Sequence, residues 1–144
     1  MKLKIIFTIL LTTVLVSCKT TEPSGDSNTE QPFNVIVQHW FANPDSDSNF
    51  TERGTDVTIY FPDSDFTMTP EYVIFNERKS FPPIITPTAE NIFKVEARII
   101  LESALFHEAS ETVSQPNQLV VTNSDGEEVR MEIREWETLP ARYD

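Results

Sequence analysis

The chain of 144 residues contains one cysteine, three glycines, two histidines and only 11 lysines and arginines against 23 acidic residues. A single thiol excludes an internal disulfide framework and any zinc site built on several thiolates. The shortage of cations, a formal net charge of −12, argues against nucleic acid, which rewards clustered Lys and Arg. No G-x-S-x-G and no H-E-x-x-H accompanies either histidine, so hydrolytic machinery has little to build on. No internal repeat is visible, and the length fits one compact domain. Long apolar runs are missing too. The longest, Ile5 to Val16 broken by Thr8, Thr12 and Thr13, spans roughly 18 Å as a helix, short of a bilayer core of about 30 Å.

That run follows Lys2 and Lys4, and residues 1–17 hold no acid. Positive residues ahead of a short apolar stretch form the layout of a secretory signal peptide. It ends in Leu15-Val16-Ser17-Cys18, which resembles the lipobox of bacterial lipoproteins over residues 1–18. Ser17 stands where Gly or Ala is commoner in that family. The resemblance implies cleavage between Ser17 and Cys18. It also implies diacylglycerol on the Cys18 sulfur, often with a further acyl chain on the new amino group. More than one chain is what stable anchoring requires, since a single one binds only marginally. Lys19 is not the Asp that tends to retain such proteins at the inner membrane, so the outer membrane is the expected address. Cleavage would leave nine cations against the same 23 carboxylates, a mature side-chain charge of −14.

Residues 19–32 contain no Val, Ile, Leu or aromatic side chain. Such a segment cannot bury enough apolar surface to offset its ordering entropy, and it reads as a disordered tether. The domain is expected over 33–144. Its apolar residues are largely Val, Ile and Phe, which suit a pleated, half-buried surface. Phe33, Val35, Val37, His39 and Phe41 alternate with Asn34, Ile36, Gln38 and Trp40, and Val57, Ile59 and Phe61 with Thr58 and Tyr60. Tyr72 to Phe75 should fold back through Asn76-Glu77-Arg78 onto Lys79–Phe81. Leu119–Val121 and Val129–Ile133 flank Asp125-Gly126, a strong hairpin signal. Residues 88–109 admit a helix started at Thr86-Pro87. Over 92–102, however, Phe93, Val95, Ala97, Ile99 and Leu101 are apolar at alternate positions, and a strand is preferred. Prolines 62, 70, 82, 83, 87 and 116 fall between these runs. About seven short strands with Pro-rich turns point to an all-β, antiparallel β-sandwich. An immunoglobulin-like arrangement is the candidate, without the Cys pair of antibody domains.

Three groups of residues bear on chemistry. Asp45, Asp47 and Asn49 place oxygens at alternate positions, with Asp56 twelfth in the count, as a calcium loop would. Against that reading, Phe50 stands where the sharp turn needs Gly and Arg53 aims a cation at the ion. A solvated acidic loop is the simpler reading, and Asp63-Ser64-Asp65 is a second acidic turn. His39 belongs on the inner face as a hydrogen-bonded imidazole, and His107 beside Glu108 is the remaining acid–base candidate. Trp136 and Arg134, on the charged side of the last hairpin, and Trp40 are the candidate partner anchors, since Trp and Arg are enriched in binding hot spots.

These features together lead one to expect a tethered, non-enzymatic module without a cofactor, binding a protein or another envelope component. An inhibitor or immunity-type protein for a basic enzyme, or a calcium-dependent module, are the alternatives. The lipobox has a direct readout. Mass spectrometry of the native amino-terminal peptide should find Cys18 first and acylated; an unmodified thiol there removes the anchor.

Overall fold

The computed structural model of the chain describes residues 31–42, 52–62, 67–88, 91–102 and 108–144. Cys18, Asp45, Asp47, Asn49 and His107 lie outside them. Nine strands occur: β1 (Asn34–Ala42), β2 (Glu52–Pro62), β3 (Thr69–Phe75), β4 (Arg78–Lys79), β5 (Ile84–Pro87), β6 (Ile92–Glu102), β7 (Gln118–Thr122), β8 (Glu128–Glu132) and β9 (Glu137–Tyr143). They form a five-stranded sheet, β5-β6-β2-β1-β9, and a four-stranded sheet, β4-β3-β7-β8. With β1 to β8 taken as A, B, C, C′, D, E, F and G, the two sheets read D-E-B-A and C′-C-F-G. That is the immunoglobulin order, with β9 added in parallel alongside β1.

Period-two alternation decides the core. Val35 and Val37 of β1, Val57, Ile59 and Phe61 of β2, and Val95, Ala97 and Ile99 of β6 face inward. They meet Val73, Phe75, Leu119, Val121 and Ile133, and all are buried. Each such Val, Ile or Phe contributes about 1.5–3 kcal/mol by leaving water. The whole of 92–102 is strand, paired with β2 over almost its full length; its five alternate apolar residues outweigh the helix-starting Thr86-Pro87.

Both expected hairpins form. Asn76 (φ 48°) and Glu77 (φ 59°) make the two-residue turn between β3 and β4, in the primed geometry that suits twisted strands. Between β7 and β8, Gly126 (φ 80°) takes the left-handed corner, while Asn123 Oδ1 accepts the Asp125 and Glu127 amides. The strand count exceeds the sequence expectation because two edge strands hide among prolines. β5 sits between Pro82-Pro83 and ends in Pro87, and β9 contains Pro140. Edge strands tolerate proline because their outer N–H groups need no ladder partner. Pro70 also lies within β3, beside a register shift between Pro70 and Tyr72, rather than in a connection.

Two buried serines close ends where pairing stops. Ser80 donates its amide to Val73 O and accepts the Val73 amide on Oγ, both near 2.8–2.9 Å. Ser110 does the same for Ile100, at 2.8 and 2.9 Å. A buried amide left unpaired costs about 1–3 kcal/mol.

The ordered domain starts earlier than its apolar content implies. Gln31, placed in the tether by composition, accepts the Arg134 amide at 2.8 Å and the Glu135 amide at 3.2 Å on Oε1. Its Nε2 donates to Glu135 O at 3.1 Å. One polar side chain thus staples the chain entry to the β8–β9 connection, a contact that hydrophobicity cannot register. Gln31→Ala should therefore lower stability by about 1 kcal/mol in urea titration, although it removes no apolar contact.

Candidate functional site

The outward-facing residues of the five-stranded sheet line up in rows fixed by register. Trp40, Gly54 and Ile100 stand abreast, then Gln38, Asp56 and Arg98, then Ile36, Thr58 and Glu96, then Asn34, Tyr60 and Lys94. β5 sets Ile84 beside Glu96 and Thr86 beside Lys94. β9 sets Leu139 beside Gln38 and Arg142 beside Trp40. A register shift between Gln38 and Trp40 interrupts the β1–β9 pairing; it lets Leu139 and Arg142, three residues apart, share one face. The result is a cleft of about 550 Å³, with Pro82 and Ile84 on one side and Leu139 and Arg142 on the other.

Asp56 is the hub of this face. Its Oδ1 accepts Arg98 Nε at 2.8 Å and its Oδ2 accepts Arg98 Nη2 at 2.9 Å, a bidentate pair. Arg142 Nη2 reaches the same Oδ2 at 3.5 Å while Nε and Nη2 bond Asp144 at 2.8 and 3.0 Å. These bonds favour the charged guanidinium. Donation to Asp56 raises the Arg98 pKa, and donation to Asp144 raises the Arg142 pKa. Lys94 is raised likewise, by its hydrogen bond to Glu96, at 2.7 Å.

Trp40 lies beneath this network. It is only 4% exposed, with the Arg98 guanidinium 5.0 Å from its ring centre. The ring rests on Gly54, where a Cβ would come within 2.5 Å of it and would also collide with Ile99 O. Glycine inside a strand marks such close approaches. The indole Nε1 is buried without a hydrogen-bond partner among the described residues.

The sequence candidates fare differently. Trp40 is no surface anchor; it is the buried floor under Arg98, because Gly54 opens a slot for its ring. Trp136 is 43% exposed and meets Phe75 edge-on, centroids 5.0 Å apart. It therefore combines the anchoring and the packing reading. Arg134 pairs with Glu132 at 2.9 Å. Strand β8 stops at Glu132, so Arg134 and Trp136 stand in the connection to β9. Trp40 and Trp136 stand on different surfaces and make no joint patch. Asp56, counted twelfth in the calcium loop, is held inside β2 by a guanidinium fork. Arg53, also counted in that loop, pairs with Glu102. Among the described residues, no group of three or more His, Cys, Asp or Glu is arranged to hold a metal ion. His39 is half-buried, its Nδ1 2.9 Å from Thr55 Oγ1, and Glu108 is exposed.

Sequence reading missed Arg98, Arg142 and the aliphatic rim of Ile36, Ile84 and Leu139. The available signal was the polar side of β6, where Lys94, Glu96 and Arg98 alternate. For Arg142 there was none, because the register shift moves it onto this face. Comparison with protein-family models, with curated proteins and with solved structures finds no match.

Because Trp40 and Gly54 are mutually required, Gly54→Ala should cost about 1–3 kcal/mol, as overpacking does. The double variant Gly54→Ala with Trp40→Ala should recover part of that loss relative to the sum of the two single changes. Urea titrations of the four chains test this, and simple additivity would refute the coupling.

Proposed function

We propose that the protein is a lipid-tethered envelope module that binds a partner protein through the outer face of its five-stranded sheet, without catalysis. The observation that supports this best is the cleft itself. In a sandwich one face of each sheet ordinarily meets water with short polar residues. Here it carries Ile36, Tyr60, Ile84 and Leu139 around a depression walled by β5 and β9, and Ile84 is 68% exposed. A large apolar side chain held out in water beside a cleft marks an interaction surface.

Strand edges support the same reading by being closed to addition. Exposed edges template unwanted pairing unless they are blunted. β5 is bracketed by prolines, and β9 carries Pro140. β8 presents Glu128, Arg130 and Glu132, with Arg130 paired to Glu128 at 2.6 Å. The outer side of β4 is occupied, Lys79 N donating to Glu111 O and Val113 N to Glu77 O at 2.9 and 2.8 Å. A partner is then met by side chains on a face, not by an added strand. The lipobox resemblance supplies the tether and the envelope address. No helix among the described residues is long and apolar enough to cross a membrane.

Photo-crosslinking in the native membrane tests the assignment. With p-benzoyl-phenylalanine in place of Ile84, a discrete adduct should form. It should disappear when Leu139→Arg is added and be absent with the probe in place of Ser124 on the β7–β8 turn. Equal adducts from both positions, or none from Ile84, would reject this face.

A further inference from the structure

We infer that the cleft on this face takes an extended peptide segment in which a carboxylate stands beside aliphatic side chains. The inference rests on the proposal that this face is the binding surface and adds the chemistry of what it binds.

The charge balance differs at the cleft. Carboxylates outnumber cations 23 to 11 over the chain, yet here Lys94, Arg98 and Arg142 meet Asp56 and Glu96 and, on Arg142, Asp144, three of each sign. At physiological salt exposed charges are screened beyond about 8 Å. A ligand seated here therefore responds to these six groups more than to the distant acidic surface.

The two guanidiniums are held for use. Asp56 fixes both on one carboxylate, and Asp144 holds Arg142 from the other side. Nη1 of Arg98 and Nη1 of Arg142 have no partner among the described residues. Arg98 and Arg142 side chains remain 53% and 39% exposed. Pre-ordered guanidinium donors are suited to an incoming carboxylate, and little side-chain entropy is left to lose. Neither the Arg53–Glu102 pair nor the Arg130–Glu128 pair places a second cation on the same carboxylate.

The walls select the rest of the ligand. Ile36 and Leu139 on one side and Pro82 and Ile84 on the other are aliphatic, and Tyr60 is the one aromatic ring among the lining residues. A glycan site stacks sugar rings on aromatic faces, which this cleft hardly offers. Aliphatic side chains two residues apart along an extended segment match such walls, because alternate side chains share a face. With the strand edges blunted, the segment lies over the sheet and is read by side chains.

The test is fluorescence anisotropy with the full-length chain in detergent. Three labelled peptides, amidated at the C-terminus, serve as probes: Leu-Ser-Leu-Ser-Glu, which puts both leucines and the carboxylate on one face of an extended segment, and its counterparts with Gln or Lys for Glu. The acidic peptide should bind best, about tenfold or more over the Gln form, the worth of a charge-assisted hydrogen bond. Arg142→Gln should erase most of that preference. Ile84→Ser should weaken the acidic and Gln peptides alike. Equal binding of the Glu and Gln forms, tightest binding of the Lys form, or an acidic preference that survives Arg142→Gln would each overturn the inference. Displacement of the acidic peptide by polygalacturonate at matched carboxylate would instead assign the cleft to an acidic glycan. An Ile84 crosslink without acidic preference defeats the ligand chemistry alone; loss of the crosslink defeats the face.

Discussion

Burial of the inner rows of β1, β2 and β6 against β3 and β7 holds the two sheets together. Val57, Ile59, Phe61, Val95, Ala97 and Ile99 meet Val73, Phe75, Leu119 and Val121, and with one cysteine in the chain no covalent bridge assists them. Immunoglobulin domains of antibodies tie strands B and F by a disulfide; here the corresponding β2 and β7 present Ile59 and Leu119, both fully buried. Apolar burial, with no covalent bridge, carries the centre of the inter-sheet contact. Because a one-residue slip would turn every inner residue outward, this packing also fixes register. Register in turn fixes which polar residues share the outer face.

The outer face follows from that register as a set of consequences. Asp56 stands abreast of Arg98 because Val57 must stand abreast of Ala97. Trp40 stands abreast of Gly54 because Val37 pairs with Val57. The slot over Gly54 accommodates the indole, and Arg98, oriented by Asp56, covers it. The buried Nε1, without a partner among the described residues, is a stability cost of about 1–3 kcal/mol. It is accepted at a place where the ring supports the guanidinium that lines the cleft. Stability and recognition share residues here. The same Asp56 that orders Arg98 from beneath also draws in Arg142 from β9.

Legibility in the sequence tracks the range of the interaction involved. Alternation over 92–102 and the Asp125-Gly126 hairpin are local, and both elements stand where local pattern places them. The first sheet's edges were not legible, since Ile84–Pro87 and Glu137–Tyr143 carry prolines that read as breaks until an edge position is known. His39 as a hydrogen-bonded imidazole was legible from its place among Val35 and Val37. The partners of Asp56 were not legible. In sequence it is twelfth in a run of oxygens, whereas in space it faces residues 42 and 86 positions away. Trp40 was noticed for its type, but its burial depends on a glycine on the neighbouring strand. Arg142 could not be found at all, because a register shift between β1 and β9 decides its face.

The acidity of the chain and the cations of its cleft make different contributions to recognition. Every cation among the described residues is engaged: Arg53, Lys94, Arg98, Arg130, Arg134 and Arg142 in ion pairs, Arg78 on Ser110 O and Lys79 over Tyr72. The excess carboxylates therefore stay uncompensated and repel like-charged neighbours at long range. Exposed single pairs such as Arg53–Glu102 add little. The Arg98–Asp56–Arg142 arrangement differs because two guanidiniums meet on one carboxylate while Asp144 balances Arg142, leaving a locally balanced site within an acidic surface. An acidic segment reaching it meets repulsion until it is within a screening length and exposed guanidinium donors once seated. Such a surface slows encounter and rewards only a ligand whose carboxylate lands beside the two arginines, so discrimination comes from position more than from net charge.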